Sequence, residues 1–337
     1  MATDIRTSTR PTMASRGPTP ASPRQARRRL PWRARLRKRL PIYLGLAPYF
    51  VLMLLFVGAP MAYGLAMSFT DWSLSSHGDI SFVGLQNYAY VLGGDGLTSE
   101  RFYKSLVNLA IYVPITITIG LVVALALALV ATALPQRVYA FLRAAYFVPT
   151  VLPLFLCVGI WQWLMNSESG LVASNLAKLG IGDGVNWVDT AGWAILMVVL
   201  IDVWHAVGFN FIIFSTGMQD ISQDVYEAAE LDGASVFQRM TRITIPMLEP
   251  IIFFVVTYSL ITALQVYDIP QILTSGGAPD EIGGPNQVML FPVMEMVRNV
   301  QSGNEFGLAR AAAEGTILMV LVVAVTYVLF KLRRRRV

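Results

Sequence analysis

The sequence predicts an all-α, polytopic membrane protein with six transmembrane helices. Three observations carry that expectation. The chain is 55% hydrophobic and 14% charged, with a mean hydropathy of +0.56, far from the balance of a soluble domain. Apolar runs of about 20 residues recur, each long enough to cross a ~30 Å hydrocarbon layer. The basic residues concentrate at both termini and in alternate connecting segments, the pattern an even number of spans produces.

The runs cover residues 43–69, 106–132, 141–165, 193–214, 251–266 with flanks, and 311–330. A membrane β-barrel would instead show alternating segments of ~10 residues. Residues 1–40 carry twelve Lys/Arg, among them Arg27, Arg28, Arg29, Arg37, Lys38 and Arg39, and the last run leads into Lys331-Leu332-Arg333-Arg334-Arg335-Arg336. With both termini cytoplasmic, the inner side also takes Arg137, Arg143, Arg239 and Arg242. The outer side keeps only Arg101, Lys104, Lys178, Arg298 and Arg310. Five or seven spans would strand one basic terminus outside. The basic pI of about 9.4 therefore has a topological cause. Nucleic-acid binding would want bases interleaved with aromatic platforms, which the charged tails do not offer.

Residues 1–40 are rich in Pro, Ser and Thr, with Asp4 the only acid, and read as a basic disordered cytoplasmic tail ahead of a transmembrane domain at 41–337. An organellar transit peptide shares that composition. A cleaved signal peptide does not fit, because the first apolar run outlasts a signal core of about 7–15 residues.

Several chemistries are excluded by what the chain lacks. Its four lysines, Lys38, Lys104, Lys178 and Lys331, never follow a glycine, so no phosphate-cradling G-x-x-x-x-G-K-[ST] loop exists. His77, His205 and Cys157 are the only histidines and cysteine, too few for a His/Cys metal cluster, an intrachain disulfide or redox chemistry. No serine has glycines at −2 and +2. The expectation is a chain without enzymatic activity, metal or cofactor of its own.

One polar segment breaks the apolar pattern. Tyr226-Glu227-Ala228-Ala229-Glu230-Leu231-Asp232-Gly233-Ala234-Ser235 lies in the cytoplasmic loop between the fourth and fifth runs. Ser222 can cap a helix over 225–231, with Asp224 in its first turn facing the positive dipole end. Gly233 accepts the left-handed conformation that ends it. Ser235 can cap a second helix that reaches Pro246 and the fifth run. Ala228 and Ala229 give the first helix a thin side that another surface can approach. Glu227, Glu230 and Asp232 ring that side with acceptors for a partner's Arg or Lys. A solvated amphipathic connector is the plain alternative.

The spacing Glu227-Ala228-Ala229, three residues, Gly233, nine residues, Ile243-Thr244-Ile245-Pro246 resembles the EAA motif of permease subunits in binding-protein-dependent ABC importers, EAA-x3-G-x9-I-x-L-P. Six of its seven positions match, with Ile245 for leucine. Phe82-Val83-Gly84-Leu85-Gln86-Asn87-Tyr88 and Leu273-Thr274-Ser275-Gly276-Gly277 also resemble segments of carbohydrate permeases of the maltose and glycerol-phosphate type. Both Gly276-Gly277-Ala278-Pro279 and Gly283-Gly284-Pro285 compete for the family's Gly-Gly-Pro.

The resemblance implies the type I importer permease fold, with a cytoplasmic coupling helix between the fourth and fifth spans. It implies half of a translocation pore for a disaccharide or oligosaccharide in a bacterial or archaeal cytoplasmic membrane. The implied partners are a second, paralogous permease, an ATPase dimer that binds the ATP, and an extracytoplasmic solute-binding protein facing the outer loop at 269–309. Within that loop 287–300 looks helical apart from Pro292. Glu227, Ala228, Ala229, Asp232, Gly233, Ile243 and Pro246 are the positions implied to meet the ATPase.

A solute path needs polar groups at membrane depth. The fourth run offers Gly208, Phe209 and Asn210, with Asp202 and His205 spaced to share a hydrogen bond. Asp202 could equally serve packing between subunits or pair with an arginine. Tyr258, Thr262 and Gln265 fall at i, i+4 and i+7, one helical face whose ring, hydroxyl and amide suit a sugar, and the resemblance favours that face. Polar stripes also bind helices together. An ion-coupled secondary carrier would want internal repeats, and a membrane-embedded transferase would want clustered carboxylates; neither pattern is present.

Overall fold

In the computed structural model the described residues are 32–72, 80–93, 96–274, 282–301 and 307–334, with side chains from Tyr43 onward. Most of the predicted basic tail, the Ser275–Gly277 part of the second family segment and the Gly276–Pro279 candidate lie outside them. The chain divides into two compact units at Ala59/Pro60.

Among the described residues the structure is helical, with one isolated antiparallel bridge between Thr70 and Phe82. Helix α1 (Trp32–Met53) continues through a π-helical turn (Leu54–Gly58) into α2 (Ala59–Met67). Then follow α3 (Gln86–Leu92), α4 (Leu97–Thr132), α5 (Gln136–Val151), α6 (Leu154–Leu164), α7 (Leu171–Lys178) and α8 (Trp193–Gln219). The polar loop holds α9 (Gln223–Leu231), α10 (Val236–Arg239), a π-helical turn (Met240–Thr244) and α11 (Ile245–Met247). The chain closes with α12 (Glu249–Ala263), α13 (Asp268–Leu273), α14 (Pro292–Gln301) and α15 (Gly307–Arg334).

Four helical stretches among the described residues are long and apolar enough to cross a bilayer unbroken: Tyr43–Met67, Leu97–Thr132, Trp193–Gln219 and Gly307–Arg334. Two bent pairs bring the number to six if each counts as one span. These are Gln136–Val151 with Leu154–Leu164, bent by 98°, and Val236–Met247 with Glu249–Ala263, bent by 65°. The third predicted span is therefore broken within its run, whereas the 65° bend, at Leu248, falls ahead of the fifth run. At the first break Pro153 forces Leu152 into extended backbone (φ −67°, ψ 141°), which no helix can continue through. The fifth run also ends early: α12 stops at Ala263. The outer helix predicted from 287 starts instead at Pro292, whose missing N–H costs nothing in a first turn.

The second unit is built around the α4–α8 pair. The buried face of α4 runs Leu109, Tyr112, Thr116, Gly120, Ala124, Ala128, Ala131, a three-to-four-residue spacing that becomes small toward its C-terminus. Small residues let helix backbones approach where no hydrophobic drive exists between apolar surfaces. Around that end a core forms from Phe211, Phe214, Leu248 and Val255. Around the other end Met197, Ile201, Met289, Leu290, Phe291 and Met294 pack with Tyr112.

Candidate functional site

The polar loop folds into a helical hairpin whose every turn has a local cause. Ser222 Oγ accepts from the Asp224 N–H at 3.3 Å, capping α9. At its end Gly233 has φ +75°. The Gly233 N–H donates to Glu230 O at 3.0 Å and the Ala234 N–H to Ala229 O at 2.9 Å, the paired bonds of a Schellman motif. Ser235 then starts α10 with a capping box: its N–H donates to Gln238 Oε1 at 2.8 Å, and its Oγ accepts from the Gln238 N–H at 3.3 Å.

On this hairpin Glu227, Ala228, Asp232 and Gly233 are exposed, and Ala229 is half-buried. Ile243 is half-buried in the π-helical turn, with Pro246 exposed just beyond it. Glu230 departs from the expected ring of acceptors. Its carboxylate takes a hydrogen bond from Arg239 Nη1 at 3.0 Å, closing the hairpin internally. An exposed pair of this kind contributes about 0–1 kcal/mol, so its role is geometric.

Two features escaped the sequence reading. Leu231 is 89% exposed, with Val236 and Phe237 exposed beside it, so apolar knobs flank the acidic helix. Apolar residues bracketing a Gly turn in a polar loop were the available signal. The second feature is a tether. Tyr226 OH and Thr244 Oγ1 lie 3.0 Å apart, and the Thr244 hydroxyl donates to Arg239 O at 3.4 Å. The consistent assignment has Tyr226 donating to Thr244. Thr244 is buried and Tyr226 half-buried, so a partly buried bond ties α9 to the segment that leads into α12.

From that segment the chain bends into α12 at Leu248, which is fully buried. Gly217 of α8 makes room for it. A Cβ there would come within 3.1 Å of Leu248 Cδ2 and closer still to Ile251. Tyr258 and Thr262 on α12 are exposed, and Gln265 is exposed in the turn just past the helix end, where helical spacing no longer sets its direction. The Tyr258 ring packs against Phe209 at 5.4 Å and Phe254 at 6.4 Å between centroids, which makes Phe254 an unanticipated member of the face.

Gly208 and Asn210 are buried and do not join that face. A Cβ on Gly208 would meet the Tyr146 carbonyl carbon at 2.8 Å and Phe147 Cα at 2.9 Å, so Gly208 is where α8 crosses the α5 backbone. Asp202 does not use His205 as its hydrogen-bond partner. Its Oδ2 accepts from Tyr112 OH at 2.6 Å, across to α4, because the phenol is fully buried on the facing helix.

The Phe82–Tyr88 segment has a structural task near the end of α2. The buried Asn87 Nδ2 donates to Ser68 O at 2.9 Å and Thr70 O at 2.8 Å, and Gly84 takes φ +61°. Asp71 accepts from the Ser81 N–H at 2.7 Å and from the Ser81 hydroxyl, bonds that hold its carboxyl below the usual carboxylate range. Among the described residues no cluster of His, Cys, Asp and Glu could hold a metal.

The profile of the family described as "Binding-protein-dependent transport system inner membrane component" matches residues 116–337. The chain is 30% identical over 301 residues to the sulfoquinovosyl glycerol transport system permease protein of Agrobacterium fabrum, covering 89% of this chain and 92% of that protein. It is 30% identical over 296 residues to the trehalose/maltose transport system permease protein of Thermococcus litoralis, covering 85% and 91%. Against the arabinooligosaccharides transport system permease protein of Bacillus subtilis the figures are 28% over 299 residues, covering 88% and 89%. Its fold is similar to a chain of a bacterial alginate ABC transporter crystallised in complex with alginate pentasaccharide-bound periplasmic protein. That likeness has a TM-score of 0.70 at 19% identity and covers 90% of this chain and 96% of that one. With a family match over most of its length and helices able to span a bilayer, the chain belongs to the inner-membrane permease components of binding-protein-dependent transport systems.

Proposed function

We propose that this chain is one half of the transmembrane pore of an ATP-driven sugar importer, with the α9–α10 hairpin as its contact to a separate ATPase. The observation that carries the reading is the hairpin itself: capped at both of its turns, yet presenting Glu227, Asp232 and the apolar Leu231, Val236 and Phe237 outward. Such a surface offers a partner both charge and apolar area. The sugar class is supported by the relatives, which are named for sulfoquinovosyl glycerol, trehalose and maltose, and arabinooligosaccharides.

In this reading both termini and the hairpin lie in the cytoplasm, where the basic residues concentrate. Closure of the ATPase dimer on ATP pushes α9, and the Tyr226–Thr244 tether carries the push into the bent foot of α12. Phe209, Phe254, Tyr258, Thr262 and Gln265 line the sugar's route, shared with a second, paralogous permease. A solute-binding protein delivers the sugar from outside. Gly208 and Asn210 support the route as helix packing.

The test is crosslinking from Ala229→Cys in the assembled complex, paired with Glu227→Lys. Ala229→Cys should link to the ATPase and to no outer protein. Glu227→Lys should abolish ATP-driven uptake while the complex still purifies intact. Normal uptake by Glu227→Lys, or labelling of Ala229→Cys from outside the cell, would remove the hairpin from this role.

A further inference from the structure

A groove of about 540 Å³ opens between α12 and the C-terminal end of α15, with Pro246, one of the positions implied to meet the ATPase, among its lining residues. Its walls are Ile252, Phe253 and Val256 on one helix and Leu329 and Leu332 on the other. Its rim is charged. Arg333 lies over the Phe253 ring at 4.2 Å and pairs side-on with Glu249, Nε to Oε1 at 3.2 Å and Nη2 to Oε2 at 3.4 Å. That pairing leaves the Nη1 donors of the guanidinium. The pair is not sealed, since the two side chains are 32% and 50% exposed. Lys331 and Arg334 stand exposed on the same last turns.

An apolar slot between two spans, ending at a partly exposed arginine among further bases, has the chemistry of an anionic phospholipid site. The hydrocarbon tail takes the slot, and the phosphate takes the guanidinium. We propose that this groove binds an anionic phospholipid, its phosphate held by Arg333 in competition with Glu249. Bases at this end also satisfy topology and the negative end of the α15 dipole. Neither role calls for an apolar slot beside them, and neither predicts that removing Glu249 should matter to lipid. A free phosphate shares the headgroup chemistry but would make no use of the slot.

The experiment takes the purified full complex, equilibrates it with vesicles of equal phosphatidylglycerol and phosphatidylcholine, and measures retained lipid by native mass spectrometry. The unmodified complex should retain phosphatidylglycerol preferentially, and an excess of inorganic phosphate should not displace it. Arg333→Gln should lower that preference about fivefold, the share of one surface base. Glu249→Gln should raise it, because the competing carboxylate is gone. Val256→Trp should lower it with every base in place, by filling the slot; Val256→Phe serves if the larger ring prevents folding. If the bridge were only a latch between helices, Arg333→Gln and Glu249→Gln would shift lipid retention in the same direction, and that result overturns the proposal. So does unchanged retention in the slot-filling variant, or displacement by phosphate alone. The readout is bound lipid, so it stands whether or not the complex transports sugar.

Discussion

Two glycines show how differently one residue type can be required. At Gly233 nothing lies within 4 Å of where a Cβ would be, so a side chain there is opposed only by the backbone, held at φ +75°. An ordinary residue in that conformation costs of order 1 kcal/mol, and a β-branched one more. Gly233→Val should therefore misdirect the turn after α9 and lower sugar-stimulated ATP hydrolysis. Gly233→Ala should do so less, and Gly233→Asn, which tolerates left-handed backbone, should stay near the unmodified rate. Full stimulation in the valine variant would separate the turn from coupling. Gly208 is the opposite case: its φ is unremarkable, but the Tyr146 and Phe147 backbone occupies the space. Gly208→Ala should lower the thermal stability of the complex whether or not ATP is present, since the α5 backbone has to move.

Between α9 and α12 the contacts form a continuous series. The helix is stopped by the Schellman turn, closed by Arg239–Glu230 and tethered by Tyr226–Thr244 to the segment that bends at Leu248. If the tether transmits motion, Tyr226→Phe and Thr244→Val should each reduce sugar moved per ATP hydrolysed while hydrolysis itself continues. The double variant should lose no more than the larger single, with a coupling energy of about 0.5–1.5 kcal/mol between the two. Additive losses would mean the residues act separately. The hairpin was legible in the sequence because caps and Gly stops are local rules, written in Ser222, Gly233 and Ser235 themselves. The tether was not: helical spacing shows that Tyr226 and Thr244 exist, not that a turn and a π-bulge fold one onto the other. The same limit hid the Tyr112–Asp202 bond, whose partners are 90 residues apart. The break at Pro153 was written in the sequence too, but continuous hydropathy across 141–165 outweighed it, because hydropathy measures solvent preference and is blind to backbone direction.

On the scale of the whole molecule the spans differ in how much of them the chain itself covers. Half of the most apolar window in α8 is buried, against 28% in α4 and 6% in α15, so α8 is central and much apolar surface is left for lipid or another subunit. Tyr258 and Thr262 on α12, and Gln265 in the turn just past it, sit exposed among such surfaces. Hydrocarbon is a poor neighbour for an amide, because each unsatisfied polar group at membrane depth costs several kcal/mol. Under the proposed function that face lines a water-filled cavity whose other wall a second permease supplies. Removing the amide with Gln265→Ala should then weaken the apparent affinity for sugar by about two- to tenfold, the worth of one hydrogen bond, and leave basal ATP hydrolysis unchanged. If the face instead only joined helices, the same substitution would lower the recovery of the assembled complex and leave the affinity of what survives untouched. Measuring uptake against sugar concentration at equal amounts of intact complex separates the two outcomes. Under the proposed function the purified chain alone should move no sugar; a gradient-driven flux through it would place the whole pore in this one polypeptide.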